Sequence, residues 1–404
     1  MKRKAGTDNG ADHPGPRRQS QEQDDEEFDM FADEIIEIKP VKLTEMAPVV
    51  RSSGATLAAN WDDPEGYYRE VLGEVLDSGR YHVYQTLGKG VFSSVIRAKD
   101  TTNNQDVAIK IIRNNDTMYK AGIKERDICL KLAKADPEGK RHCIKFYRDF
   151  QHKNHLCLVF ESLCLNLRQV LQKFGRNVGI TLTAVQVYAQ QMVQALSLLK
   201  QEGVLHADIK PDNILVTESK AILKLADFGS ACLARDGTDI TPYLVSRFYR
   251  APEIILGLPY DHAIDIWSVA CTLFELFTGR LLFPGRSNNA MLHMMMEAKG
   301  RFPNKLLKKG MFSSNHFDED DNFAFLLEKP VSKVDEQVTE ISKRAVVIPT
   351  HPSKDIKSRI MEAWQGEESE KLLALDFSDF LEKALALVPE RRITVAEALK
   401  HPYV

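Results

Sequence analysis

The chain has 404 residues, 43% of them hydrophobic and 27% charged, enough for one large globular unit or two lobes with a tail. A net charge of −3 and a pI near 6.4 supply no global field for holding nucleic acid or an anionic membrane, so no direct nucleic-acid binding is expected. The six cysteines form no CxxC pair or zinc-type spacing, nothing at the N-terminus resembles a secretory segment, and no apolar run reaches the roughly 18 to 20 residues of a membrane span. A soluble protein of a reducing intracellular compartment, without a membrane contact, is the expectation.

Residues 1–59 lack helical or strand periodicity and are expected to be disordered. They open on a basic cluster (Lys2, Arg3, Lys4, Arg17, Arg18) that fits a nuclear import signal, although such runs are frequent by chance. From Glu22 to Glu37 they carry nine carboxylates and no basic residue, with Phe28, Met30, Phe31, Ile35 and Ile36 interleaved. A solvated spacer is the plainer reading of that segment, and a motif that folds onto a basic partner is the sharper one.

Beyond a lead-in over 60–80, apolar alternation predicts three strands at Tyr81–Leu87, Val91–Ala98 and Asp106–Ile112, split by glycine- and asparagine-rich corners. Helical periodicity follows, from Gly122 to Leu132, from Thr183 to Leu199 and from Ala263 to Phe277. The fold class is therefore α+β, with a small antiparallel sheet lobe ahead of a large helical one.

Gly88-Lys89-Gly90 lies between the first two strands, where a hairpin with little side chain can bring backbone N–H groups close to phosphates. Taken alone it is as readily an ordinary turn. Lys110, on the third strand in Val-Ala-Ile-Lys, puts a cation under that hairpin, and Glu125, fifteen residues on in a helix, is spaced to pair with it. Such a pair, if exposed, contributes under about 1 kcal/mol, so its value lies in orienting the lysine.

The deciding segment is His206-Ala207-Asp208-Ile209-Lys210-Pro211-Asp212-Asn213, followed in order by Asp227-Phe228-Gly229 and Ala251-Pro252-Glu253. At about one in twenty per position, five fixed identities arise by chance in roughly one chain in 10⁴ of this length. These motifs resemble the eukaryotic protein kinases over residues 80–404, and the resemblance implies a bilobal kinase fold, with the smaller lobe and hinge over 81–163 and the larger over 164–404. It implies ATP and Mg²⁺ as cofactors and protein hydroxyls as substrates, with Asp208 accepting the hydroxyl proton, Lys210 stabilising the transferred group, and Asn213 and Asp227 holding the metal. By the same resemblance Gly88, Gly90 and Lys110 attend the phosphates, and Val95, Ala108 and Leu215 sandwich the adenine. Phe160 is the gatekeeper, Glu161 and Leu163 offer backbone groups to the adenine edge, and Asn166 faces the ribose. Asp265 is implied to hold the catalytic-loop backbone, and Arg392, with Arg391 as its competitor, to pair with Glu253. Ser93 stands where the family has the third glycine of the hairpin.

Thr241-Pro242-Tyr243-Leu244-Val245-Ser246-Arg247-Phe248-Tyr249-Arg250 resembles the activation segment of the CMGC group, in which an arginine at the place of Arg247 favours proline after the phosphoacceptor. Tyr243 aligns with the tyrosine that the tyrosine-regulated branch phosphorylates on itself, and its phosphate would lie within reach of Arg247 and Arg250. Ala207, where regulated kinases carry the arginine of a phosphothreonine pocket, points to the same branch. Asn60-Trp61-Asp62-Asp63-Pro64-Glu65-Gly66-Tyr67-Tyr68, Gly73-Glu74-Val75-Leu76 and Ile111-Ile112-Arg113-Asn114-Asn115 resemble the pre-mRNA-processing kinases of the spliceosome. That likeness implies a nuclear enzyme acting on splicing factors of the tri-snRNP and reaching RNA only through partners; a monomer is expected. The long Arg/Ser-rich extension often found in that family is absent, and the stretch over 301–371, in the place of the CMGC insert, has no partner assigned to it. Another CMGC kinase of the tyrosine-regulated branch and a catalytically dead scaffold are the rival readings; a dinucleotide-dependent oxidoreductase fails because a strand, not a helix, follows the glycines.

Overall fold

A computed structural model of the chain describes residues 61–404, apart from 177, 235–242, 319, 321 and 332–339. The basic cluster, the acidic segment and Thr241 lie outside the described residues.

The first lobe is built from β1 (Val75–Leu76), β2 (Tyr81–Lys89), β3 (Ser93–Asp100), β4 (Gln105–Ile112), α1 (Asp116–Ala135), β5 (Phe146–His152) and β6 (His155–Glu161). The strands form one antiparallel sheet in the order β1-β2-β3-β4-β6-β5. Strand alternation gives this sheet two different faces. Val83, Ile96, Ala98, Ile109 and Ile111 bury one face under Tyr68 of the lead-in and Leu76, while Val95, Ala108 and Lys110 point from the other toward the second lobe. Asn115 caps α1 by accepting from the backbone N–H groups of Thr117 and Met118, and the helix runs six residues further toward the N-terminus than periodicity predicts.

The second lobe starts with β7 (Leu165–Asn166), α2 (Leu167–Val170) and α3 (Leu182–Gln201), followed by the short strands β8 (Val204–Leu205), β9 (Ile214–Val216), β10 (Leu223–Leu225) and β11 (Cys232–Leu233). These strands pair as β10-β9-β7 and β11-β8, which frames the segment 206–213 as a loop between β8 and β9. Next come α4 (Pro252–Leu256), α5 (Ala263–Thr278), α6 (Asn288–Lys299) and α7 (Asn304–Leu307). Helix α5 is buried on all sides, as its continuous apolar run requires. None of the described helices is long and apolar enough to cross a membrane.

The stretch over 301–371, left unassigned by periodicity, contains a three-stranded antiparallel sheet of β12 (Phe317–Asp318), β13 (Ala324–Val331) and β14 (Glu340–Val346). Phe317 and Phe325 anchor it against Phe302 in the main core, and Glu328, Lys329, Glu340, Lys343 and Arg344 interrupt the apolar residues of β13 and β14, which breaks the alternation. The chain ends in α8 (Ile356–Ala363), α9 (Lys371–Ala384) and α10 (Val395–Ala398).

Arg392, not its neighbour Arg391, pairs with Glu253: its two terminal nitrogens lie 2.6 and 2.9 Å from the two carboxylate oxygens, and both side chains are fully buried. Arg392 also donates to the carbonyls of Ala263 and Ala386, whereas Arg391 is exposed. Removing one member of a buried, fully bonded pair leaves the other charge stranded. Arg392→Ala is therefore expected to cost about 3 to 5 kcal/mol in urea unfolding, against under about 0.5 kcal/mol for Arg391→Ala. Similar losses for the two variants would refute the assignment.

Candidate active site

The site lies where the inner face of the first sheet meets the loop between β8 and β9. Strand β4 aims Lys110 inward, directly opposite Val95 of β3. Its Nζ donates to Glu125 Oε1 at 2.8 Å and Oε2 at 2.9 Å and to Asp227 Oδ1 at 2.8 Å. Lys110 and Glu125 are buried, so the exposed pair considered from the sequence gives way to a buried pair joined by the partly open Asp227. Burial works against the charge on Lys110, but the Asp227 and Glu125 carboxylates outweigh it and hold its pKa above the ordinary lysine value. Glu125 is pushed up by burial, against the pull of Lys110. Asp227, mainly through Lys110, is held down to about 2. One of its oxygens takes the lysine while the side chain stays half open to the cleft.

The loop from His206 to Asn213 hangs from Asp265 in α5, whose carboxylate accepts from the backbone N–H of His206 at 2.8 Å and of Ala207 at 3.0 Å. His206 accepts at Nδ1 from the Asp208 N–H at 3.2 Å and donates from Nε2 to the Ala226 carbonyl at 3.0 Å. Its ring packs on buried Phe228, 5.0 Å between centroids, which turns the adjacent Asp227 toward Lys110. Ala207 and Asp227 both sit at φ +61°, a region that side-chain-bearing residues rarely enter. Surrounding bonds over-determine these strained turns, which sit at the two motifs singled out in the sequence.

Around Asp208 the partners converge. Asn213 donates from Nδ2 to the Asp208 carbonyl at 2.9 Å and to Oδ2 at 3.0 Å, and Lys210 Nζ lies 3.2 Å from Oδ2. Ser246, which motif reading passed over, donates to Oδ1 from its hydroxyl at 2.6 Å and from its backbone N–H at 3.1 Å, and it accepts from Lys210 at 3.0 Å. Its only signal in the sequence is its place one residue before Arg247.

Ala108, Val95 and Leu215 are half-buried while their strand neighbours Ile109, Ile96 and Val216 are fully buried, so all three border the cleft. Phe160 lies opposite Ala108 and packs edge-on against Phe146. Beyond it, Arg97 donates to the Leu163 carbonyl at 2.7 Å, which leaves the Leu163 N–H as the group for an adenine edge. Asn166 spends its side-chain oxygen capping α2 through the Gln169 N–H, so only its Nδ2 faces a ribose role. Gly88 has nothing within 4 Å of where a Cβ would stand and Gly90 only the Ser93 carbonyl at 3.9 Å; open space above the cleft, not crowding, surrounds the hairpin.

The donor set fits a small hard cation. Asp227 offers a carboxylate, and Asn213, its amide nitrogen engaged with Asp208, is left with Oδ1. Magnesium takes few protein oxygens and completes its shell with water and phosphate.

In the activation segment Arg247 donates to the Arg286 carbonyl at 2.9 Å. Arg250 is buried, bonds the carbonyls of Tyr243, Leu244 and Val245 and Asn288 Oδ1, and lies 5.9 Å from the Tyr243 ring centroid. Among the described residues none of these partners is an anion. Burial, with the charge of Arg247, brings its guanidinium down to about 10. Tyr243 itself is 77% exposed.

Residues 81–404 match the protein kinase domain family. The chain belongs to that family. It is 52% identical over 381 residues to the serine/threonine-protein kinase prp4 of Schizosaccharomyces pombe, a match that covers 94% of this chain and 78% of that protein. It is 44% identical over 369 residues to the serine/threonine-protein kinase prpf4B of Dictyostelium discoideum, covering 89% of this chain and 43% of that protein. To the dual specificity tyrosine-phosphorylation-regulated kinase 3 of Homo sapiens the identity is 33% over 353 residues, 85% of this chain and 57% of that one. This kinase is thus a serine/threonine enzyme of the CMGC type, in a family that uses ATP and Mg²⁺.

The hydroxyl of Ser246 bridges the carboxylate of Asp208 and Lys210, and removing it takes away the shortest bond to Oδ1 while the Ser246 backbone N–H and Asn213 remain and the fold's core is untouched. Ser246→Ala is expected to lower kcat about ten-fold, the loss of about one charge-assisted hydrogen bond, with Tm within about 2 °C of wild type. An unchanged kcat would remove Ser246 from the site.

Proposed function

We propose that this serine/threonine kinase phosphorylates pre-mRNA splicing proteins in the nucleus, as a monomer, using ATP and Mg²⁺, with components of the tri-snRNP as substrates. The observation that carries the splicing reading is the 52% identity to prp4 over nearly the whole chain, together with the lead-in motif Trp61-Asp62-Asp63-Pro64-Glu65-Gly66-Tyr67-Tyr68.

The residue roles follow from charge and reach. Bound Mg·ATP supplies the phosphoryl group and the divalent charge that neutralises it. Asp208, oriented by Asn213 and Ser246, accepts the proton of the substrate hydroxyl, and the electrons of that O–H bond become available for attack. Lys210, 3.2 Å from Asp208, keeps a fixed positive charge where negative charge builds. Lys110, held by Glu125, contacts the non-transferred phosphates under Gly88 and Gly90; Asp227 and Asn213 hold the metal; and Val95, Ala108, Leu215, Glu161, Leu163 and Asn166 receive the nucleoside. Acute inhibition of an analogue-sensitive Phe160→Gly form should strip phosphosites from splicing proteins, and Asp208→Asn should reproduce that loss, by quantitative phosphoproteomics. An unchanged set of splicing phosphosites sinks the proposal.

Maturation by phosphate on Tyr243 is part of the same reading. The support is electrostatic: Arg250 is buried beside Tyr243 without an anionic partner among the described residues, so a phosphate there gains a charge-assisted bond and relieves the stranded cation. Tyr243→Phe should lower peptide phosphorylation more than Thr241→Ala; equal or reversed losses would count against it.

A further inference from the structure

The lead-in ahead of the first lobe has no part in the roles above, yet it touches the glycine hairpin. Residues Asp62–Tyr68 fold into a tight turn: Asp63 Oδ1 accepts from the N–H groups of Glu65 and Tyr67 at 3.0 and 2.9 Å, and Gly66 N–H donates to the Asp63 carbonyl at 3.0 Å. Gly66 sits at φ +83°, where a Cβ would come 2.9 Å from the Asn114 carbonyl oxygen, so the turn lies flat on the end of β4. There Asn114 N–H donates to the Gly66 carbonyl at 2.7 Å and Asn114 Nδ2 to Asp62 Oδ2 at 2.8 Å, and buried His155 lies 2.7 Å from Asp62 Oδ1.

From this anchored turn one group reaches the hairpin. The Tyr67 hydroxyl donates to the Gly90 carbonyl at 2.8 Å and the Val91 carbonyl at 3.2 Å, with its buried ring held between Lys89 Nζ, 3.8 Å from the ring centroid, and the Arg113 guanidinium at 4.2 Å. Lys89 also pairs with Asp63 at 2.8 Å, and Arg113 donates to the Val91 carbonyl at 2.9 Å and to the Glu65 carbonyl. Val91 at the tip is 67% exposed and Phe92 42%, and the tip is bonded from outside by a chain of hydrogen bonds from the lead-in.

We propose that Asp62–Tyr68 is a strap that sets the glycine hairpin above the nucleotide, with Tyr67 as a positioning residue for the phosphates; this rests on the reading of Gly88 and Gly90 as phosphate-binding. The carbonyls of Gly90 and Val91, engaged from outside, orient the intervening peptides, so their N–H groups are preset toward the cleft and the hairpin need not be ordered anew at each binding event. Tyr68, the next residue, provides the contrast. It is equally buried, but its hydroxyl bonds Glu74 and Lys153, away from the hairpin.

The test uses the full chain with a serine-proline model peptide and the variants Tyr67→Phe, Tyr68→Phe and Gly90→Ala. Tyr67→Phe keeps the ring and its stacking and loses only the hydroxyl. It should raise KM for ATP about five-fold, the loss of about one hydrogen bond, with kcat within about two-fold. In the nucleotide-free protein it should speed hydrogen exchange of the 88–92 amides by a similar factor. Tyr68→Phe should lower Tm and leave both readouts at the wild-type value, and Gly90→Ala should raise KM for ATP. A rise in KM with Tyr68→Phe equal to that with Tyr67→Phe would reduce the lead-in to lobe stability and overturn the strap. Unchanged exchange and KM in Tyr67→Phe, with KM raised in Gly90→Ala, would overturn the strap alone. Unchanged KM in Gly90→Ala would overturn the phosphate reading of the hairpin, and the strap with it.

Discussion

One ammonium group organises this molecule. Lys110 Nζ stands within 2.9 Å of three carboxylate oxygens from two different elements, Glu125 on α1 and Asp227 after β10. A buried cation so placed is stable only while both anions are in position, so strand β4, helix α1 and the Asp227 turn must arrive together. Removing Lys110 leaves the Glu125 carboxylate buried without its cation, so the strand, the helix and the turn are coupled through this one group. The triad contributes less to net stability than to fixing one arrangement, because the cost of desolvating three charges offsets most of their attraction.

A second constraint works from beneath. Asp265, in a fully buried helix, accepts two successive backbone N–H groups, and this pulls Ala207 into a left-handed conformation at the foot of the catalytic loop. The strain has a geometric return: Asp208 emerges from the turn facing Asn213, Lys210 and Ser246, each of which holds one of its oxygens. His206 links this turn to the Asp227 turn through Phe228 and the Ala226 carbonyl, so the carboxylates of Asp208 and Asp227 are positioned by the same buried contacts.

Both edges of the cleft are braced by groups outside it. The hairpin is bonded to the lead-in, the Leu163 carbonyl to Arg97, and the activation segment wraps its carbonyls around Arg250. The last of these is unlike the others, because among the described residues the buried Arg250 guanidinium is met by neutral oxygens only.

The sequence by itself determined the chemistry and the order of the lobes. Asp208, Lys210, Asn213 and Asp227 could be singled out as candidates because fixed identities in such short motifs rarely coincide by chance, and the three strands and long helices because their periodicity is undiluted. It could not decide between Arg391 and Arg392, did not see that Lys110 and Glu125 are buried, passed over Ser246, and missed the sheet of β12 to β14, where charged residues interrupt the apolar alternation. Only the tertiary structure decided these, and it joined Tyr67 to a hairpin more than twenty residues away. The reason is common to all: burial, bond partners and strand pairing are properties of distance in space, and separation along the chain does not fix them until the two lobes are packed.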